Sequence, residues 1–236
     1  MFYKALLCVA IGIFIYKKRI LDFQGSLSAV IMGILVVFFA GLEWLSLMLV
    51  FLVITYLSTK YKYKRKRALD VAETNHGRRS FINVLANGLV PTVVAAAFYF
   101  NTNNPADLLF LAAYIAAIAS ITGDTLSSEL GVLSRGEPYL ITNFKRVPTG
   151  TDGGISPLGE LVGVSGALLI GVSAWAFGMA DLKIAALAAV AGGSVGFHVD
   201  SLLGAIFERK GMIGNATVNF LSTISAALCG LFIALI

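Results

Sequence analysis

Eight apolar runs separated by shorter polar stretches organise the chain, at about 2–16, 26–42, 44–59, 81–100, 106–122, 158–178, 183–205 and 215–236. They are continuously apolar, without period-two alternation, so each predicts a helix and not a barrel strand. A helix needs about 20 residues, with a range of about 17–25, to cross the hydrocarbon core of a bilayer. The first and third runs are short by that measure and read as tilted, re-entrant or merged pieces. The basic cluster Lys17, Lys18 and Arg19 follows the first run instead of preceding it, so that run reads as a retained span and not a signal peptide. The pattern predicts an all-α, polytopic membrane helix bundle of about eight spans, with residues 1–236 forming a single membrane domain.

Composition agrees. Hydrophobic residues make up 58% and charged residues 13%, against about 25% charged in a soluble domain. That balance excludes disorder and argues against a soluble enzyme. Cys8 and Cys229 lie inside apolar runs, with no Cys-x-x-Cys pair or His-rich tract beside them, so they read as buried apolar thiols.

The net charge of +5 has a clear distribution. With eight crossings, loops 17–25, 60–80, 123–157 and 206–214 share one side and hold 16 of the 18 basic residues. Only Lys4 and Lys183 fall on the other side. The positive-inside rule makes those loops cytoplasmic and puts both termini outside, most simply in a prokaryotic cell membrane. The excess charge is then a topology signal, with Lys60 to Arg67 lying on acidic headgroups. No interleaved aromatic and basic pattern suggests nucleic acid.

Loop composition leaves unexplained the polar residues at the span ends, where ionisable groups are expensive and point to function. Thr122-Gly-Asp-Thr-Leu-Ser-Ser-Glu129 closes the fifth run. If the helix continues, Asp124 and Ser128 share a face, as do Thr125 and Glu129. Two carboxylates with hydroxyls at a helix end suit a hard cation holding phosphates, whereas the hydroxyls alone would be ordinary caps and interhelical bonds. Further on, Gly193, Gly196, Asp200 and Gly204 fall on one helical stripe. The glycines read as a packing seam, which does not account for Asp200. His198 has no second His or Cys nearby and reads as a hydrogen-bonded interface residue.

Asn83 and Asn87 lie four apart at the start of the fourth run, and Asn215 and Asn219 do the same at the start of the eighth. Their amides suit cations and phosphate oxygens, or equally interhelical hydrogen bonds. The matched spacing, with Asp124-Thr-Leu echoed by Asp200-Ser-Leu, suggests an internal repeat. Between the acidic clusters runs the glycine-containing stretch Lys145-Arg-Val-Pro-Thr-Gly-Thr-Asp-Gly-Gly154. It is not a P-loop by spacing, but its glycines free the backbone to wrap an anion, with Lys145 and Arg146 supplying charge.

Four pieces in chain order resemble an integral-membrane family of polyprenyl-type phosphate kinases: Asn83-Val-Leu-Ala-Asn-Gly88, Gly123-Asp-Thr-Leu-Ser-Ser-Glu-Leu-Gly131, Val147-Pro-Thr-Gly-Thr-Asp-Gly-Gly154, and Val199-Asp-Ser-Leu-Leu-Gly-Ala205 followed by Asn215 and Asn219. That family contains the plant phytyl-phosphate kinases, many prokaryotic members of unknown function and the animal transmembrane protein nineteen group. The family-like core covers about 78–223, behind N-terminal spans in 1–59. Gly123 stands where the family more often has Ala. The family is distantly similar to dolichol and phytol kinases and to membrane CDP-lipid synthases, which use CTP and divalent metal.

The resemblance implies phosphoryl transfer from CTP, ATP or another nucleoside triphosphate to an isoprenoid monophosphate, giving the diphosphate, with Mg²⁺ as cofactor and a two-metal site left open. On that reading Asp124, Glu129 and Asp200 hold metal, and Asp124, Asp200 and Lys145 serve catalysis. The nucleotide and phosphates are bound by Arg78, Asn83, Asn87, Ser128, Lys145, Arg146, Thr149, Gly150, Thr151, Asp152, Gly153, Asn215 and Asn219. The active site faces the cytoplasm, the lipid tail leaves sideways into the bilayer, and a homodimer is left open. Two alternatives stand beside it: a CDP-lipid synthase-like cytidylyltransferase using the same metal and CTP site, and a small-solute transporter or channel.

Overall fold

The computed structural model describes residues 2–72, 77–101 and 107–235. The first residue of the predicted fifth span, residues 73–76 of the long basic loop and the last residue of the eighth span lie outside them. All eight apolar runs are helical: α1 (Phe2–Lys17), α2 (Phe23–Phe39), α3 (Leu42–Lys60), α5 (Phe81–Phe100), α6 (Asp107–Gly131), α7 (Pro157–Ala176), the rod α8–α9 (Leu182–Leu187 and Gly193–Ile206, joined by a π-helical turn at Ala188–Gly192) and α10 (Asn215–Ile233). A short basic helix α4 (Tyr63–Ala68) precedes α5. Six of these, α3, α5, α6, α7, α8–α9 and α10, are long and apolar enough to cross a membrane. The third run reaches 19 residues and is full length, whereas α1 and α2, with 16 and 17 residues, are the short pair. The protein is an all-α polytopic membrane protein. Large apolar side chains such as Phe100, Leu161, Trp175 and Phe232 are exposed on its outside, as lipid contact requires.

The central element is α6. Its 25 residues extend through Glu129, beyond the predicted end near residue 122, so the acidic cluster is helical and not a loop. Residues 112–123 of α6 are all buried, and many are Ala, Ser or Gly. Without water to drive helices together inside a bilayer, close packing of small residues is what holds them.

That packing is most intimate along α9. A Cβ on Gly192 would fall 2.4 Å from the Cβ of Ala116, and one on Gly196 would fall 2.0 Å from Ser120 Oγ. One further turn along each helix come Asp124 and Asp200, so the two helices run parallel and in register over 116–120–124 and 192–196–200. The close contact begins at Gly192, the last residue of the π-helical turn; such turns re-aim the face that follows and recur at functional sites. On the other side α10 runs antiparallel, with Gly230 against the Ala112 backbone and Ser222 against Asp200.

Helices α3, α6 and α9 end, and α5, α7 and α10 begin, at the same end of the bundle. Thr59 meets Glu129, and Ser156 bonds to the Gly131 carbonyl. The predicted basic loops converge there too: Leu21 pairs with Arg79, Lys66 reaches Glu129, and Glu208 bonds to Asn215. At the far end of α6 an aromatic cluster closes the core, with the Tyr114 ring 4.3 Å from that of Trp44 and its hydroxyl donating to the Trp44 carbonyl at 2.7 Å. The loop between α6 and α7 contains a minimal antiparallel ribbon, β1 (Tyr139–Leu140) with β2 (Gly154–Ile155), which sequence pattern did not indicate.

This seam sets the first test. Gly196→Leu forces side-chain atoms into Ser120 and lowers detergent-solubilised thermal stability, at a cost of about 1–3 kcal/mol. Ser165→Ala, at an exposed position of α7 whose hydroxyl donates to the Leu161 carbonyl of its own helix, changes it by less than about 0.5 kcal/mol. Thermal aggregation followed by size-exclusion chromatography reads both.

Candidate functional site

A cleft of about 1300 Å³ opens at the end where the loops converge. Its floor is the pair Asp124 and Asp200, whose side chains lie within interaction range of each other. Ser222 donates to Asp200 Oδ2 at 3.1 Å from α10. Asp152 and Glu208 also line the cleft, within electrostatic reach of each other, and Asp124 acts on Glu208 as well. Facing these carboxylates is Arg79, the cation among the described lining residues, within coulombic range of Asp124.

The walls carry the two Asn pairs. Asn83 and Asn87 project into the cleft from the first turns of α5, and Asn215 and Asn219 from those of α10. Asn219 Nδ2 donates to Asn215 Oδ1 at 3.4 Å, while Asn219 Oδ1 is buried and has no protein hydrogen-bond partner. A buried carbonyl oxygen left this way is costly unless a ligand satisfies it. The two Asn–Asp units face each other across the cleft. Their chain order is reversed, Asn helix before Asp helix in one and after it in the other, so the suggested repeat is not a simple tandem copy.

The roof is the glycine-containing loop, with Thr149 to Gly154 along its inner side. Gly150 and Gly153 have φ of +88° and +75°, in the left-handed region that favours glycine. A Cβ on Gly153 would lie 2.5 Å from the Ser201 carbonyl oxygen and 2.4 Å from the Ala205 Cβ, and one on Gly204 would lie 3.2 Å from the Gly153 nitrogen. The loop therefore sits backbone to backbone on α9, one turn beyond Asp200, and its conformation is tied to the helix that carries the carboxylate.

At the edge of the cleft Glu129 is held by Lys66 and by Thr59, whose hydroxyl donates to Oε1 at 2.7 Å. Lys66 is wholly buried; its ammonium also donates to the carbonyls of Ser58 and Thr59 at 3.0 and 2.8 Å. All three of its protons are used, and two of them cap the C-terminal end of α3, where carbonyls lack helical partners and a cation is favoured.

The match of residues 6–227 to the family model described as integral membrane protein DUF92 decides the family. The chain belongs to that family. An uncharacterised membrane protein of Methanocaldococcus jannaschii is 41% identical over 233 residues, covering 99% of this chain and 94% of that protein. Protein PGR of Arabidopsis thaliana is 31% identical, over 83% of this chain and 75% of its own length. The chloroplastic protein VTE6 of the same plant is 29% identical, over 80% and 57%. No solved structure matches significantly. The family match takes in the N-terminal helices as well as the four motif-bearing pieces.

In this family member the sequence expectations fare unevenly. Asn83, Asn87, Asp124, Ser128, Glu129, Thr149 to Gly153, Asp200, Asn215 and Asn219 all line one cleft. Lys145 and Arg146 do not: both are exposed on the outer side of the loop, with the Arg146 guanidinium over the Tyr139 ring. Arg78 is turned away as well, donating to the Leu21 carbonyl at 2.8 Å and stacking on Tyr16. Its neighbour Arg79 takes the position expected of it. The metal role expected of Glu129 meets a carboxylate already engaged at both oxygens. Lys66, read from sequence as one of a run of headgroup-facing cations, is instead the buried partner of Glu129. His198 is an interface residue, 3.0 Å from Glu160 Oε2 and 2.8 Å from the Ser194 carbonyl.

Arg78 and Arg79 both abut the fourth apolar run and are both expected from sequence to face a phosphate; Arg79 is the one that does line the cleft. Glu208 was missed, although it lies eight residues after Asp200 and so extends that helical stripe. Nothing in the basic run distinguishes Lys66.

Breaking the Lys66–Glu129 pair from one side strands a buried charge. Lys66→Met alone, or Glu129→Leu alone, costs about 3–5 kcal/mol of stability. The double variant recovers most of the loss, and a double-mutant cycle on thermal unfolding in detergent measures the coupling.

Proposed function

We propose that the chain is a membrane-embedded lipid-phosphate kinase that transfers a phosphoryl group from a nucleoside triphosphate, CTP or ATP, to an isoprenoid monophosphate. The observation that carries this reading is the Asp124–Asp200 pair, brought from two spans to the floor of a polar cleft under a glycine loop. The motif resemblance to phytyl-phosphate kinases supports the same reaction class. The positive-inside distribution of the surrounding loops supports an opening to the cytoplasm, where nucleotide is available.

The donor set fits Mg²⁺. It is all oxygen: two carboxylates in contact, the unpartnered Asn219 carbonyl beside them, and Asn83, Asn87 and Asn215 around them. Among the described residues no group of three or more His, Cys, Asp or Glu side chains is arranged to hold a metal. Mg²⁺ is commonly held by one or two carboxylates with water and substrate phosphates, so the Asp124–Asp200 pair would be enough protein carboxylate to hold it. Asp124 and Asp200 would hold the ion, which when bound supplies charge neutralisation for the phosphates. A polyanion entering a cleft lined by Asp124, Asp152, Asp200 and Glu208 needs such neutralisation, since Arg79 alone does not balance four carboxylates.

The chain's own contribution is placement. The Thr149 to Gly153 backbone can wrap the donor phosphates, and Arg79 with Asn83 and Asn87 can hold the acceptor. A phosphate monoester has a second pKa of about 6 and is largely ionised near neutral pH, so attack on the transferred phosphorus needs no dedicated general base.

In purified protein supplied with Mg²⁺, nucleoside triphosphate and geranylgeranyl or phytyl phosphate, the reading predicts diphosphate formation. Asp124→Asn and Asp200→Asn each lower turnover by about 10²–10³-fold. Label from the γ-phosphate of CTP enters the lipid, whereas α-label entering it would identify a cytidylyltransferase. No turnover of any isoprenoid phosphate with any nucleotide overturns the kinase reading, and full activity in both variants overturns the site assignment.

A further inference from the structure

A second pocket lies among α1, α2, α3 and α5, with about 790 Å³ of space when its open mouth is counted. Its wall is apolar, built by residues such as Cys8, Gly33, Met48 and Leu49, except at one place where Arg79, Asn83 and Asn87 line it. Those three residues also line the polar cleft. One helical stripe at the start of α5 thus separates an apolar chamber from a carboxylate-rich one and faces both.

Arg79 is fixed at this junction by its backbone. Its carbonyl accepts from the Asp22 nitrogen at 3.1 Å and its nitrogen donates to the Ile20 carbonyl at 3.2 Å, pinning the start of α5 to the α1–α2 turn. Asp22 in turn caps α2 through the Gly25 nitrogen. The short helices α1 and α2, too brief to be comfortable spans, therefore form the chamber wall and position its cation.

We propose that this chamber holds the single hydrocarbon chain of the acceptor lipid, with its monophosphate at Arg79, Asn83 and Asn87 facing Asp124. The proposal rests on the lipid-phosphate reading above and replaces a tail leaving sideways into the bilayer with a tail held among the N-terminal helices. The occupant follows from charge and shape. Arg79 selects an anionic head, the apolar wall rejects a nucleotide, and one apolar chamber beside one cation suits a lipid with a single hydrocarbon chain in preference to a diacyl lipid.

Gly33 offers a direct probe. A Cβ there makes only ordinary contacts, 3.4 Å from Leu45 and 3.6 Å from Cys8 Sγ, and both neighbours line the chamber, so the further carbons of Gly33→Leu extend toward it. The full chain in nanodiscs is photolabelled with geranylgeranyl monophosphate bearing a terminal diazirine, without nucleotide. Label is expected on peptides of α1, α2 and α3, competed by unlabelled geranylgeranyl monophosphate and not by phosphatidic acid. Gly33→Leu is expected to lower that labelling at least about tenfold, the scale on which a pocket discriminates by size. Leu49→Trp, filling the same space from α3, serves as a second variant if Gly33→Leu does not fold.

Label on the outward faces of α7 or α10, equal competition by phosphatidic acid, or labelling unchanged in a folded chamber-filling variant overturns the proposal. Turnover measured in parallel separates the two readings. Chamber labelling without turnover supports the chamber and sinks the kinase, and turnover without chamber labelling sinks the chamber alone.

Discussion

Asp124 and Asp200 meet where the helices bearing them approach to backbone distance, and that approach is the constraint on which the site depends. The π-helical turn and α9 present Gly192 and Gly196 to Ala116 and Ser120 of α6, so no side chain holds the two rods apart. Because the helices run parallel and in register, the next turn of each brings Asp124 opposite Asp200. The same closeness lets the loop backbone at Gly153 rest on Ser201 and Ala205. A single larger residue in the seam would move floor and roof together, so packing and chemistry are not separable in this region.

Charge imposes the complementary constraint. Carboxylates in a low-dielectric setting must be paired, bonded or offered to a ligand. Glu129 is paired, with Lys66 spending all its protons on that carboxylate and on the end of α3. Asp124 and Asp200 lie against each other with Ser222 donating to Asp200, and Asn219 keeps an unpartnered carbonyl oxygen. The contrast separates a structural carboxylate from a pair of functional candidates on the same cleft. It also explains why a basic loop lies so near an acidic site: one lysine of that loop is internal, and the remainder stay outside.

Much of this was legible in the sequence, and for physical reasons. Eight continuous apolar runs could bury their backbone polar groups in a membrane only as helices, and the structure has those eight helices. Asp124, Asp200 and the Asn pairs stood out because polar residues at span ends are costly to keep. Direction was harder to read. Arg78 and Arg79 are adjacent and chemically identical, and which one enters the cleft is set by the backbone pairing of Leu21 with Arg79. Lys145 and Arg146 were expected inward from a flexible loop, whereas the small ribbon of Tyr139–Leu140 with Gly154–Ile155 directs the glycine-containing side of the loop to the cleft and leaves the basic residues outside. The junction of two cavities at α5 depends on three-dimensional packing of α1 and α2, which no local pattern encodes.

The central claim is that Asp124 and Asp200 form a divalent-cation site completed by phosphate. It is tested most directly by Mn²⁺ binding to the purified protein, followed by electron paramagnetic resonance with and without a non-transferable nucleoside triphosphate analogue. The account predicts a protein-bound Mn²⁺ signal that strengthens with the analogue and is lost in Asp124→Asn and in Asp200→Asn. Unaltered Mn²⁺ binding in the doubly substituted protein, or analogue binding that survives removal of divalent cations, would contradict it.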